Sequence, residues 1–335
     1  MSGGVATRTP GWKLALLGIG KVAPVFLVLL VLIVWITILN PRFIEPTFFL
    51  NFLRRSAPLM ILAGGQLFVV VTGGFDLSQG SLVTLTVLAG AMLAFGDPSS
   101  TWWVILVLYG IGFVVGVFNG SVTSRLKVPS FITTLGMLLT LKGFALLITG
   151  GAPRGALPEN FRAFGRATID GVPLIGRLPW AVIVLVVLSA VFIYLFHGTV
   201  LGKHALAVGD NQRAAALAGI NVHLVRTAAF TVSSLSAVSA GIMLGGFSGV
   251  SINVGDGLEL EAISAVVLGG AALLGGRGNM PAALAGALTL QALFTLLNFL
   301  GLPSPLRVTV QGAIIIGAVG FAAWRAVRAG QERGA

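Results

Sequence analysis

A chain of 335 residues that is 56% hydrophobic and only 9% charged, with a mean hydropathy of +1.00, is too apolar for a soluble domain, which carries roughly a quarter charged residues. Its net charge of +11 is scattered through loops and forms no basic stripe of the kind nucleic acid requires, so membrane topology accounts for it better. Cysteine is absent, which excludes disulfide frameworks and thiolate metal sites, and His197, His204 and His223 lack a cluster of partner carboxylates and read as solvated loop residues.

Apolar windows of about 20 residues predict spans at 22–39, 57–73, 80–96, 102–120, 131–149, 180–197, 227–246, 258–275, 281–300 and 307–324. The expected architecture is all-α: one polytopic membrane domain over 1–335 with about ten transmembrane helices. The third and eighth spans, rich in small residues or bearing acids near one end, are candidates for broken or re-entrant helices. The first span follows a basic segment, 1–21, as a signal peptide would. Its apolar run continues to about Leu39 and leads into Asn40-Pro41-Arg42 with no small-residue cleavage site, so a retained span is expected.

Between the second and third spans lies Gly73-Gly-Phe-Asp-Leu-Ser-Gln-Gly-Ser81. Asp76 is an acid at or near membrane depth, costly in hydrocarbon, and must face protein, water or a backbone cap. It reads either as the N-cap of the third span, with Ser78 and Ser81 satisfying other end groups, or as a residue beside a solute pathway; the two do not exclude each other. Gly73, Gly74 and Gly80 permit a helix break and close backbone approach. Lys142 falls inside the fifth span, where it snorkels, pairs, or lines a pathway. The longest outer segment, 150–179, carries Pro153, Pro158, Pro173 and Pro179 and is either a landing surface or a structural loop.

After the sixth span, 198–226 changes character. Its polar, alanine-rich stretch Gly202–Ile220 predicts a short helix outside the bilayer, with Asp210 or Asn211 as N-cap, good helix formers to Leu217, and Gly219 as the stop. A small-faced helix held on a loop suits docking into a groove of another protein; an ordinary polar loop is the plain alternative. The eighth span opens on Gly257-Leu-Glu-Leu-Glu-Ala-Ile263, placing Glu259 and Glu261 at an outer mouth, either to meet a polar solute or to complement a helix dipole. It continues through Val266-Val-Leu-Gly-Gly270 to Leu274-Gly-Gly-Arg-Gly-Asn279. These glycines suit tight helix packing. No Gly-x-x-x-x-Gly-Lys-Ser/Thr string exists, so the chain is not expected to bind or hydrolyse ATP itself. Gly73-Gly-Phe75 and Gly245-Gly-Phe247 end the second and seventh spans on opposite sides, the relation an inverted repeat would give.

Basic residues orient the bundle. With a cytoplasmic N-terminus, inner segments carry Arg8, Lys13, Lys21, Arg125, Lys127, Lys203, Arg213, Arg226, Arg277, Arg325, Arg328 and Arg333; outer segments carry Arg42, Arg54, Arg55, Arg154, Arg162, Arg166, Arg177 and Arg307. Twelve against eight favours this orientation, with 198–226 inside and a cytoplasmic tail at 325–335.

Three strings carry a resemblance. Ala214-Ala215-x-x-x-Gly219 resembles the EAA-type loop by which ABC importer permeases engage their ATPase, and Ala207-Val-Gly-Asp-Asn-x-x-Ala-Ala-x-Leu-x-Gly-Ile-Asn221 resembles its version in ribose-type sugar permeases. The stretch 73–81 is similar to that family's Gly-Gly-x-Asp-Leu-Ser-x-Gly-Ser signature, and the order of acids, small-residue helix and Gly-Gly-Arg-Gly turn over 257–279 is similar too. The resemblance covers about Asn40 to Gly317. It implies the permease subunit of a bacterial inner-membrane ABC importer for a monosaccharide, non-catalytic, with ATP and Mg bound by a separate ATPase. It also implies a periplasmic sugar-binding protein and a second permease copy, as homodimer or heterodimer. Gly209, Asp210, Asn211, Arg213, Ala214, Ala215, Gly219 and Ile220 would couple to the ATPase; Gly73, Gly74, Asp76, Ser78, Gly80, Ser81, Lys142, Glu259 and Glu261 would belong to the pathway. One departure stands out: Arg213 replaces the Glu that usually begins the EAA-type loop, so an acidic groove is expected opposite it. A permease for a signalling furanose or branched-chain amino acids, an ATPase-independent transporter, and a membrane-embedded enzyme are the other classes. The carboxylates form no evident catalytic pair, which disfavours the last.

Overall fold

The computed structural model describes residues 11–303 and parts of 305–320, with side chains from Pro24 on. The predicted tenth span at 307–324 and the 325–335 tail fall largely or wholly outside the described residues, as do residues 1–10. Among the described residues the chain forms α1 (Gly11–Leu39), α2 (Pro46–Val71), α3 (Gln79–Ala94), α4 (Thr101–Arg125), α5 (Ser130–Thr149), α6 (Glu159–Arg166), α7 (Trp180–Ile193), α8 (Val200–Asp210), α9 (Gln212–Leu217), α10 (Val222–Ser248), α11 (Leu258–Leu268) and α12 (Met280–Phe299). Helical segments at Pro98–Arg125, Ser130–Thr149, Trp180–Gly198, Val222–Ser248 and Met280–Phe299 are long and apolar enough to cross a bilayer; Pro24–Leu39 and Gln79–Ala94 are shorter apolar helices.

The all-α expectation needs one correction. Within 150–179 an antiparallel hairpin forms from β1 (Thr168–Val172) and β2 (Gly176–Pro179). Gly171 and Gly176 take positive φ beside its turn, where a side chain would be strained, and Arg177 pairs with Asp170 across it at 3.0 Å. The three histidines are not loop residues either: His204 lies in α8, His223 in α10, and His197 in a π-turn closing α7, with Nε2 accepting from Met280 N at 3.4 Å.

The bundle is apolar outside and partly polar within. Leu27, Leu30 and Ile38 of α1, Leu106 and Val114 of α4, and Leu139 and Leu147 of α5 are exposed, while Gln66, Asp76, Ser78, Gln79, Asn119, Ser233 and Ser234 are fully buried. That arrangement fits a hydrocarbon solvent, which rewards outward leucine and forbids outward polar groups. At the centre is α2, buried at all but one of its positions from Ser56 to Val71, packed against α10, α7, α11 and α12. α1 seals against α12 through Val25, Ala282 and Ala285 at one end and Ile36, Ala292 and Leu296 at the other.

α4 and α10 pack without side-chain spacing. Gly112, Gly116 and Gly120 recur every four residues along α4. A Cβ at Gly116 would stand 2.5 Å from Thr231 Cα, and one at Gly120 2.5 Å from Thr227 Cα. Without a hydrophobic drive between helices in lipid, such close backbone approach supplies the packing energy. Gly116→Ile is therefore expected to force the pair apart at about 1–3 kcal/mol or more. Thermal unfolding in detergent should show a clear drop; an unchanged midpoint would mean the helices separate freely.

Two segments break the regular pattern. Beyond Val71 the chain folds back, and Gln79 at the start of α3 reaches Leu62 O with its Nε2 at 3.2 Å. Leu62 lies nine residues before Val71, about 13 Å along α2, so 72–78 re-enters the bundle. Likewise 249–257 runs back from the end of α10 until Gly255 N donates to Thr84 Oγ1 at 3.0 Å. The predicted eighth span does not run to 275: α11 is 11 residues, about 16 Å, and stops at Leu268. Gly269 there presses on the backbone of Ala282 and Ala283. α3 and α11 thus start side by side within the bundle and run to opposite ends, which matches the opposed Gly-Gly-Phe ends expected of an inverted repeat.

Candidate functional site

The docking segment has the predicted local chemistry. Asn211 caps α9, its Oδ1 accepting from Ala214 N at 3.0 Å. Gly219 takes φ +81, and Ile220 N returns to Ala215 O at 3.0 Å, closing the helix end as an αL residue allows. Ahead of it α8 extends the helical region, where the sequence pattern pointed to one helix only. Ala215 is buried under α9, whereas Arg213, Ala214 and Leu217 face outward, Leu217 at 90% exposure. Leu217 is the residue sequence reasoning missed; a leucine among alanines carries no signal of which way it points.

Gly209 is half-buried rather than on the exposed face, while Asp210 beside it is exposed. A Cβ on Gly209 would collide with Val71 O and lie 2.5 Å from Gly276 N, while Gly276 N itself donates to Val71 O at 2.9 Å. Gly275 approaches Gly73 N and Gly209, and Gly276 approaches Asp210. Backbone from the end of α8, the end of α2, the re-entrant 72–78 segment and the turn after α11 therefore meets at one point. The nearest contacts there are mostly between main-chain atoms.

The re-entrant segment carries Asp76, fully buried. Its Oδ1 accepts from Ser78 N at 3.0 Å and Ser78 Oγ at 2.6 Å, and its Oδ2 accepts from Ser233 Oγ of α10 at 2.7 Å. Asn119 of α4 donates to Ser78 Oγ at 3.0 Å, and Gln79 Nε2 donates to Ser233 Oγ at 3.0 Å. Asp76 thus joins the start of α3 to α4 and α10. It is not the N-cap of α3, a position that Ser78 takes; from two residues earlier it holds the N–H and hydroxyl of Ser78, at the centre of the bundle and away from any open surface. Ser81 and Gly80 are buried beside it, and Phe75 N donates to Ser130 Oγ at 3.1 Å.

Glu259 lies deeper than the outer mouth at which the sequence placed it. It stands against Gly80, level with the start of α3, because 249–257 carries the chain inward before α11 begins. Ser233, on the same level, is 15 residues from the end of α10, about 22 Å. Lys142 of α5 completes this face: its Nζ meets Asp256 Oδ1 at 3.0 Å and Oδ2 at 3.1 Å, with both side chains nearly half exposed. Lys142 is therefore paired rather than snorkelling, and Asp256 was not singled out beforehand. Glu261 is partly buried two residues on. Charges at this depth are too costly to face lipid and belong against protein or water.

The sequence is similar to known permease components over most of its length. Residues 48–319 match the family described as branched-chain amino acid transport system / permease component. The ribose import permease protein of Bacillus subtilis (strain 168) is 36% identical over 306 residues, covering 89% of this chain and 91% of that protein. An autoinducer 2 import system permease protein of Enterobacter sp. (strain 638) is 34% identical over 293 residues, 87% of this chain and 83% of that protein. The galactofuranose transporter permease protein of Escherichia coli (strain K12) is 34% identical over 272 residues, 80% and 77% respectively. No solved structure matches the chain.

Proposed function

The chain belongs to this family of membrane permease components, and on that premise we propose that it forms the translocation pathway of an ABC importer for a monosaccharide. The observation that carries the reading is the identity with a ribose import permease over about nine-tenths of both chains. In this reading the protein is a ten-span inner-membrane subunit with both termini cytoplasmic, and 198–226 is its cytoplasmic docking region. A separate ATPase binds ATP and Mg, and a periplasmic binding protein delivers sugar to the opposite face, where 150–179 lies. The face bearing Lys142, Asp256 and Glu259 meets a second permease copy, since polar groups there need a partner other than lipid. The solute path runs between the two copies, beside the starts of α3 and α11.

The test is reconstitution in proteoliposomes with the cognate ATPase and binding protein, following uptake of labelled ribose, xylose and galactose. Concentrative, ATP-dependent uptake of one of them is expected. Uphill transport by this chain alone would overturn the reading, and selective uptake of autoinducer 2 would replace the sugar with that solute, as the match to autoinducer 2 permeases allows.

Docking makes its own prediction. Leu217→Asp puts a charge on the apolar tip of α9 without touching the core, so the ATPase should copurify at least about tenfold less while the permease stays folded. Undiminished copurification would remove α9 from the contact.

A further inference from the structure

Beneath the Asp76 network, at the α8–α9 end, lies a half-open cavity of about 440 Å³, the size of a small-ligand site. Four elements wall it: the re-entrant stretch at Thr72–Phe75, the α4–α5 connection from Thr123 to Phe131, Gln212 of α9, and Arg226 with Phe230 of α10. Its charged lining residues are Lys127 and Arg226; no aspartate or glutamate lines it. Arg226 donates to Thr72 O at 3.3 Å through one terminal nitrogen, while its Nε is buried without a partner. Thr123 Oγ1 and Ser124 Oγ, on side chains 6% and 4% exposed, likewise have none. Ser130 Oγ accepts from Phe75 N and keeps its own hydrogen to donate. Lys127 is held at φ +57, a left-handed conformation that costs about 1–3 kcal/mol for a residue with a side chain.

Two cations and several unspent donors, with no carboxylate to balance them, do not suit a neutral sugar, whose hydroxyls ask for acceptors as well as donors. They suit a phosphate group, which accepts at three oxygens and carries nearly two negative charges. We propose that this cavity is a phosphate-binding site, filled by a soluble phosphomonoester or by an anionic lipid headgroup, that clamps α9 and α10 to the re-entrant segment. A bound phosphate would tie together the four elements that must shift when α9 is displaced, so occupancy would slow transport from the inner face. The inference is independent of which solute the chain imports.

The experiment uses the full chain in nanodiscs. In discs of phosphatidylcholine alone, inorganic phosphate and ribose 5-phosphate are titrated calorimetrically, with ribose as the neutral control. In a second arm the discs contain phosphatidic acid, and the lipid retained after reisolation is quantified. Saturable binding of either soluble probe, or selective retention of phosphatidic acid, is expected, and it should weaken about tenfold in Lys127→Gln and several-fold in Ser124→Ala. Lys127 is exposed and Ser124 changes by one atom, so both variants should fold. The first outcome identifies a soluble ligand and the second a lipid. Absence of binding in both arms, or binding indifferent to both substitutions, overturns the site and leaves the cavity to an acidic side chain of a partner protein.

Discussion

Gly209→Val should abolish solute uptake while leaving the exposed tip of α9 able to hold its partner. The reason lies in the backbone junction. Any Cβ at position 209 meets Val71 O and Gly276 N, two groups already bonded to each other at 2.9 Å. Both are main chain, so no rotamer change relieves the clash. Overpacking of this kind costs about 1–3 kcal/mol where neighbours can yield, and more where they cannot. The structure relieves it by opening the contact between α8 and the ends of α2 and α11. A displacement of α9 would then no longer reach the re-entrant segment. Uptake in reconstituted vesicles should fall more than tenfold, with Gly209→Ala intermediate, while ATPase copurification stays within about twofold of the parent. Leu217→Asp should show the reverse order of defects, losing copurification first. Full uptake by Gly209→Val would mean that motion passes by another route.

The second large effect is expected at Asp76. Replacement by alanine strands the hydroxyls of Ser78 and Ser233 and the N–H of Ser78, all fully buried. Each buried donor left without its acceptor costs about 1–3 kcal/mol. Asp76→Ala should therefore lower the unfolding midpoint by several degrees and reduce uptake by tenfold or more. Ser233→Ala, which removes one of the three donors, should lose about 1–2 kcal/mol. If Asp76 matters for transport as well as for holding Ser78 and Ser233, Asp76→Asn should regain most of the stability but not the uptake. Recovery of both together would make Asp76 a structural brace and nothing further.

Hydropathy read the helices well where a span is one unbroken rod: α4, α5, α7, α10 and α12 lie close to where apolar windows put them, and α1 ends where its window does. Capping chemistry read α9 equally well, because Asn211 and Gly219 act on neighbours within a few residues. What it missed depends on depth and distance. The eighth span is a candidate for a break, but its end is set by features hydropathy does not weigh: Gly269 pressed on the backbone of α12 and Gly270 at φ +87. Glu259 was placed too far out because 249–257, lacking charges before Asp256, hides a return into the bundle. The partners of Asp76 lie on other helices: Ser233 is 157 residues away, and Asn119 acts through Ser78 from 41 residues away. No local pattern announces such pairs. Nor could residue type tell that Ala215 turns inward and Leu217 outward.

The glycine column of α4 has a mechanical corollary. Two helices touching backbone to backbone at Gly116 and Gly120, with Val238 seated on Gly112, cannot slide or roll without lifting apart, so α4 and α10 travel as one plank. Arg226 sits near one edge of it and the Lys127 turn leaves from the other, with Ser233 and Asn119 embedded between. A tug on α10 from the short helix before it would swing that whole plank, tilting both polar anchors of the re-entrant arm in the same stroke.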